Sequence, residues 1–237
     1  MARGTTLGQL IEDLRAEAGH ALNPALGAST RDVFINILQR QQKRLWEDYA
    51  WPFLRVSRDV AVQAGLRYYN IPNDLTYERI ERMEFKWGDR WQRLGYGIEI
   101  EHYNQYDSDR NVRSYPLYRF KEYENNQVEV WPIPSQNGSL ATTDGILRFT
   151  GIRKLRPLIA DADPADLDDQ LIVLFAAAEV LARQKAADAG AKLTQAQQHY
   201  QRLKARNSKS EPFVMSNDEP MGYTPKGPPM VAVVQNP

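Results

Sequence analysis

Residues 167–181 read Leu-Asp-Asp-Gln-Leu-Ile-Val-Leu-Phe-Ala-Ala-Ala-Glu-Val-Leu, directly after the acidic lead Asp161-Ala162-Asp163-Pro164-Ala165-Asp166. Leu167, Leu171, Leu174, Ala178 and Leu181 recur at helical spacing on one face, while Ile172, Phe175, Ala176 and Val180 occupy others. A helix that is apolar on several sides has to be enclosed. In a chain of 237 residues it is expected at the centre of a helical bundle, with a subunit contact as a second use. The aspartates at 161, 163, 166, 168 and 169 read as caps and charge complements for its N-terminus, where free N–H groups and the positive dipole end meet carboxylates. A calcium-loop register begun at Asp161 fails, because it puts Asp166 at the turn glycine and Ile172 at the bidentate glutamate.

Working outward, Leu7, Leu10, Ile11, Leu14 and Ala18 form a helical stripe behind Thr6, with Gln9 completing a capping box. After Asn23-Pro24 and Gly27, Ser29 is expected to cap a second helix. Its stripe is Val33, Phe34, Ile37, Leu38, Leu45, Trp46 and Tyr49, and it ends near Ala50. Gly190 is expected to interrupt the C-terminal helices, with Leu193, Ala196, Tyr200 and Leu203 starting a last one that ends beside Lys204 and Arg206. Between these ends the pattern changes to strands. Val60 and Val62, the turn Ala64-Gly65, and Tyr69 and Ile71 read as a hairpin. Residues 117–123 and 127–131 flank Glu124-Asn125-Asn126, and residues 146–149 add another strand. The predicted class is α+β. Residues 1–52 and 158–206 form a discontinuous helical bundle, residues 53–157 an inserted antiparallel β region, and residues 207–237 an extended arm. No internal repeat is present.

Composition removes several function classes. Lys plus Arg and Asp plus Glu are 30 each, so no net field draws the chain onto nucleic acid. The absence of cysteine excludes disulfide frameworks, thiol catalysis and cysteine-based zinc sites. Met-Ala-Arg-Gly-Thr-Thr lacks the apolar core of a signal peptide, and the run 171–178 is far short of the ~20 residues that span a bilayer. A soluble protein without a membrane partner is expected.

Enzyme signatures are absent. His20, His102 and His199 lie far apart, and no zinc-protease, nucleophile-elbow or phosphate-loop motif occurs. Glu99 and His102 have the spacing of half a di-iron site but lack the other half. Gly95-Tyr96-Gly97 reads as a strand bend or bulge rather than a dinucleotide fingerprint. No metal and no cofactor is implied. Arg79, Arg82, Lys86, Arg90 and Arg93 interleave with Phe85, Trp87 and Trp91 as in single-strand binders. Glu78, Glu81, Glu84 and Asp89 dilute that charge, which favours a salt-bridged or subunit-bridging strand face. Trp46, Tyr49, Trp51 and Phe53 read as the aromatic core where helix two meets the sheet.

The arm, residues 207–237, carries six of the 14 prolines yet keeps Phe213, Val214, Met215, Tyr223, Met230, Val231, Val233 and Val234. Glu211-Pro212, Glu219-Pro220, Thr224-Pro225 and Gly227-Pro228-Pro229 exclude a helix or central strand. The retained apolar anchors suit a segment that orders on a partner. Fully extended it reaches on the order of 100 Å.

Taken in order, these residues resemble the phage head-to-tail adaptor (connector) proteins, called tail tubular protein A in some short-tailed phages. The resemblance runs from about residue 5 to 206. It rests on Arg44-Leu45-Trp46-Glu47-Asp48-Tyr49-Ala50-Trp51-Pro52-Phe53, on Tyr68-Tyr69-Asn70-Ile71-Pro72, and on Tyr115-Pro116-Leu117-Tyr118. Val128-Glu129-Val130-Trp131-Pro132-Ile133-Pro134, Leu147-Arg148-Phe149 and residues 161–178 complete it. The resemblance implies a virion protein: a ring, usually of twelve copies, under the portal. Such a ring extends the DNA channel, offers a platform to the tail or nozzle protein, and is held to the portal by C-terminal segments. It carries no catalytic residue. The eight apolar arm residues are then the portal-binding candidates. Glu99, Glu101, Asp107 and Asp109 are the channel-lining candidates, because an acidic lumen lets DNA slide without specific binding. A nucleic-acid-binding module using the residue 79–93 cations, and a carboxylate-based hydrolase acting on cell wall during infection, are the alternatives.

Overall fold

Thr6 opens the structure as the expected cap: its hydroxyl accepts from Gln9 N–H while the Gln9 side chain accepts from Thr6 N–H, and α1 (Leu7–Glu17) follows. This is a computed structural model, and it describes residues 3–20 and 28–207, which belong to a unit running to Asn207. Helix α2 is Ala28–Asp48. Strands β1 (Arg55–Ala61), β2 (Tyr68–Asn70), β3 (Ile80–Trp87), β4 (Arg90–Arg93) and β5 (Gly95–Tyr96) come next. After a short helix α3 (Ile100–Gln105) come β6 (Arg113–Ser114), β7 (Arg119–Tyr123), β8 (Gln127–Trp131), β9 (Ile133–Pro134) and β10 (Ile146–Ile152). Helices α4 (Asp169–Arg183) and α5 (Ala189–Asn207) close the described chain. No described helix is long and apolar enough to cross a membrane.

Helix α4 is enclosed as its pattern demands. Residues Leu171 to Ala178, Val180 and Leu181 are buried, and α1, α2 and α5 all pack on it. Each large aliphatic side chain removed from water in this way stabilises the fold by about 1.5–3 kcal/mol. Asp168 caps the helix, accepting from Leu171 N–H at 3.0 Å. The surrounding cluster gathers Leu7, Leu10 and Leu14 of α1, Phe34, Ile37, Leu38 and Leu45 of α2, and Ala196 and Leu203 of α5. Trp51 sits at its edge, 1% exposed, its indole N–H on the Leu45 carbonyl and its ring against Tyr49, Phe53 and Tyr200. Three details depart from the sequence reading. Helix α2 begins before Ser29, and Val33 is exposed rather than on the buried stripe. The break between α4 and α5 is made by Lys185 at φ 57°, not by Gly190, which lies inside the first turn of α5.

The strands form two four-stranded sheets, in orders β1-β10-β3-β4 and β2-β8-β7-β5, plus the small pair β6-β9. Met83, Phe85, Leu147 and Phe149 of the first sheet share one apolar cluster with Tyr69, Phe120, Val128 and Val130 of the second. The expected hairpin across Ala64-Gly65 is not formed. β1 pairs with β10 and β2 with β8, so the turn carries the chain from one sheet to the other. Its backbone is occupied by a distant loop, with Gly65 N–H on the Pro134 carbonyl and Val62 N–H on the Gly145 carbonyl. Gly65 has φ +81° and lies so close to the Arg113 guanidinium that a Cβ would come within 2.7 Å of it. The β7–β8 hairpin is as expected, with Asn125 and Asn126 at positive φ. Most pairings are antiparallel, but β5 with β7 and β6 with β9 run parallel.

One buried carboxylate joins the sheets to the helices. Asp166, with a fully buried side chain, accepts from Arg153 at 2.5 and 3.1 Å, from the Arg156 side chain at 2.7 and 2.9 Å, and from Arg156 N–H at 2.7 Å. Arg153 also accepts the Trp46 indole N–H on its carbonyl, so the exit of β10 is tied to α2 and to the lead of α4 together. Burial alone would raise the Asp166 pKa, but the Arg153 and Arg156 hydrogen bonds outweigh it and hold the pKa below the ordinary value. Its folded pKa therefore lies below an unfolded value near 3.9. Its stabilisation is complete above that pH and is lost as pH falls through the folded pKa. Asp166→Asn is expected to cost about 3 kcal/mol at pH 7, since it leaves the Arg153 charge unpaired. It should also lose less stability between pH 4 and pH 2 than the parent chain. Urea unfolding followed by circular dichroism across that range checks both; equal acid losses in the two proteins would contradict the assignment.

Candidate functional site

The alternation in β8 places Val128 and Val130 in the core and Glu129 and Trp131 on the opposite face of the second sheet. That face is covered, not solvated. Trp131 donates its indole N–H to the Tyr106 carbonyl at 3.0 Å and packs edge-on against His102. Glu129, 1% exposed, accepts from Arg67 at 2.7 Å and from the Tyr103 hydroxyl at 2.9 Å, with Lys121 at 3.1 Å from its second oxygen. Arg67 in turn holds Asp109 at 2.7 Å. Burial alone would lower the pKa of Arg67 and of Lys121, but hydrogen bonds to Asp109, Glu129 and Tyr103 push Arg67 upward, and those to Tyr103 and Glu129 push Lys121 upward, so both stay charged. This network fastens α3 and residues 107–113 to the sheet, and it is what positions the acidic segment. Sequence reading passed over Glu129. The available signal was Trp131 two residues on, a large aromatic on the nominally polar face.

The four acidic candidates divide into two pairs. Asp107 accepts from Asp109 N–H at 2.9 Å and Arg110 N–H at 3.2 Å and pairs with the Arg110 side chain; Asp109 is paired with Arg67. Glu99 and Glu101 are exposed, and no described cation pairs with either. Glu99 N–H donates to His102 Nδ1 at 3.1 Å, so the Glu-x-x-His spacing serves the start of α3 and not a metal. Among the described residues no group of three metal-ligating side chains converges. His199 pairs with Asp168 at 2.9 Å, which ties α5 to the cap of α4. The acidic lead behaves as caps and clasps. Asp163 accepts from Ala160 and Ile159 N–H, and these two bonds lower its pKa; Asp161 pairs with Arg31; Asp169 accepts from the Thr5 hydroxyl at 3.0 Å.

The residue 79–93 cations lie just before and along the β3–β4 hairpin, and Arg79, Arg82 and Lys86 are engaged. Arg82 pairs with Glu84, and Arg79 donates to the Trp46 and Glu47 carbonyls. The Trp91 ring carries Arg148 at 3.9 Å and Lys86 at 5.9 Å over its faces. Arg148 is itself held by Asp59 through two 2.7 Å bonds. Trp91 is nonetheless 38% exposed, so these cations share its faces without covering it. Phe85 is buried, while Trp87 remains exposed. The portal-binding candidates Phe213, Val214, Met215, Tyr223, Met230, Val231, Val233 and Val234 lie outside the described residues.

Residues 5–221 match the family described as SU10 adaptor protein. The chain belongs to that family. The match runs through the four long helices, both sheets and the first part of the arm, including Phe213, Val214 and Met215. A search of curated proteins found no match. The family is one of phage structural adaptors of the head-to-tail kind, so this protein is a structural virion component and not an enzyme. The cell-wall hydrolase alternative falls with that assignment.

Because the buried Glu129 carboxylate pairs with both Arg67 and Lys121, removing it leaves Lys121 without its carboxylate and Arg67 with only the exposed Asp109. Glu129→Ala is expected to cost about 3–5 kcal/mol. Hydrogen exchange at Ile100–Gln105 should accelerate in parallel, since Tyr103 loses its acceptor. A variant as stable as the parent in urea unfolding would show that the network does not anchor α3.

Proposed function

We propose that this adaptor works as a closed ring of copies, twelve by the resemblance, docked under the portal and extending the DNA channel toward the tail or nozzle proteins. The observation that carries this reading is the family match over residues 5–221, which spans every long helix, both sheets and the start of the arm. In this reading the helices of residues 1–52 and 158–206 supply the ring, residues 53–157 face a neighbour or the tail, and residues 207–237 lock onto the portal. The eight apolar arm residues are the anchors. Weak single arms suffice in a ring, because once one is bound the others act at high effective concentration. Glu99 and Glu101, exposed and without described cations, are the stronger lumen candidates; the charges of Asp107 and Asp109 are offset by Arg110 and Arg67.

Two measurements test the reading. A chain truncated after Arg206 is expected to keep its helical spectrum and unfolding midpoint but to stop co-sedimenting with portal protein; unaltered co-sedimentation would refute the arm assignment. Duplex DNA is expected to show no retention by the intact protein in a gel-shift titration at about 0.15 M salt, where unpaired phosphate-binding cations would otherwise be apparent. Tight, steeply salt-dependent retention would favour a DNA-binding role instead.

A further inference from the structure

Two unlike surfaces lie on opposite sides of α4. On one side, Phe175, Ala178, Glu179 and Ala182 floor a groove of about 510 Å³ whose walls are α2, through Arg40 and Arg44, and α5, through Gly190 and Leu193. On the other, Gln170 and Val173 lie under a groove of about 330 Å³ edged by Asp13, Glu17 and Asp169. At 100° per residue the first set spans an arc of roughly 100°, and the residues 169, 170 and 173 span another whose centre is about 180° away.

The first groove is apolar, cationic at its rim and lined with small residues. Leu193 is 42% exposed there, although it belongs to the apolar positions of α5. Gly190 faces open space, with nothing within 4 Å of a Cβ placed on it. No intrachain contact here requires a glycine. Glu179 is already engaged by Arg40, Gln41 and Arg183. Arg44 is 61% exposed, with Asp48 at 3.9 Å as its ion-pair partner. The buried Gln41, which lines the same groove, has a side-chain oxygen without a hydrogen-bond partner.

The second surface has the opposite charge. Asp13 is exposed and pairs with no cation among the described residues. Partial desolvation first, and then the carboxylates of Asp169, Glu12 and Glu17, raise its pKa, the mark of a cluster with more carboxylates than cations. Of these carboxylates, Glu17 pairs with a described cation, Lys192.

We propose that the acidic α1–α4 face of one copy docks on the Arg40–Arg44 groove of a second copy of this chain. Two different faces placed back to back on one helix make a heterologous, head-to-tail contact, the kind that closes into a ring. The inference rests on the ring reading above and adds its polarity and its residues. Charge at the rim selects the partner face, while the small-residue floor admits it closely.

Charge reversal tests the inference, read by sedimentation velocity of the full chain, alone and with portal protein. Arg44→Glu and Asp13→Lys should each raise the concentration for half-assembly at least about tenfold. An equimolar mixture of the two variants should restore assembly, because each reversed face then meets its complement in an alternating ring. Gly190→Trp fills the groove without entering the core and should block assembly with an unchanged unfolding midpoint. If the parent assembles and the folded reversal variants assemble equally well, or their mixture stays apart, this interface is wrong and the ring reading stands. A parent chain that stays monomeric even with portal overturns both.

Discussion

A helix with no polar side has to be surrounded, and that requirement organises the chain. α4 cannot face water along Leu171 to Ala178, so α1, α2 and α5 must lie against it. Two of those partners precede the β strands in sequence and one follows α4. Enclosure therefore brings both ends of the described chain together and leaves the strands as an insertion. The small residues that admit close packing on α4 also leave grooves between its neighbours.

Charged groups in this protein act mainly as fasteners. Asp166 ties the end of β10 to α2 and to the start of α4; Glu129 ties α3 to the second sheet; Asp168 caps α4 and holds α5 through His199. Burying a carboxylate costs several kcal/mol unless cations and donors surround it, and each of the first two has at least two basic partners. The same economy of roles explains why motif-like spacings carry no chemistry. Glu99 and His102 serve a helix start, and the aspartates of residues 161–169 occupy caps and clasps.

Legibility followed the range of the interactions. The Thr6–Gln9 box, the burial of α4 and the β7–β8 hairpin were readable because their determinants lie within a few residues of one another. Ala64-Gly65 looked like a hairpin turn for the same local reason, yet β1 found β10 and β2 found β8, partners some 60 to 90 residues away. Gly190 looked like a helix break, but Lys185 takes the left-handed conformation and the glycine sits in a helical turn beside open space. Of the candidate site, the acidic residues were visible in sequence, whereas the Arg67, Tyr103, Lys121 and Glu129 network that positions them was not.

The sequence by itself determined the α+β class, the caps, the enclosed helix and the lack of cysteine chemistry, since composition and short-range periodicity encode these directly. Only the tertiary structure decided the strand order, which acidic residues keep a free charge, and the opposition of a basic groove to an acidic face across α4. Those depend on where residues distant in the chain meet, and no local pattern records a pairing partner or what covers a given face.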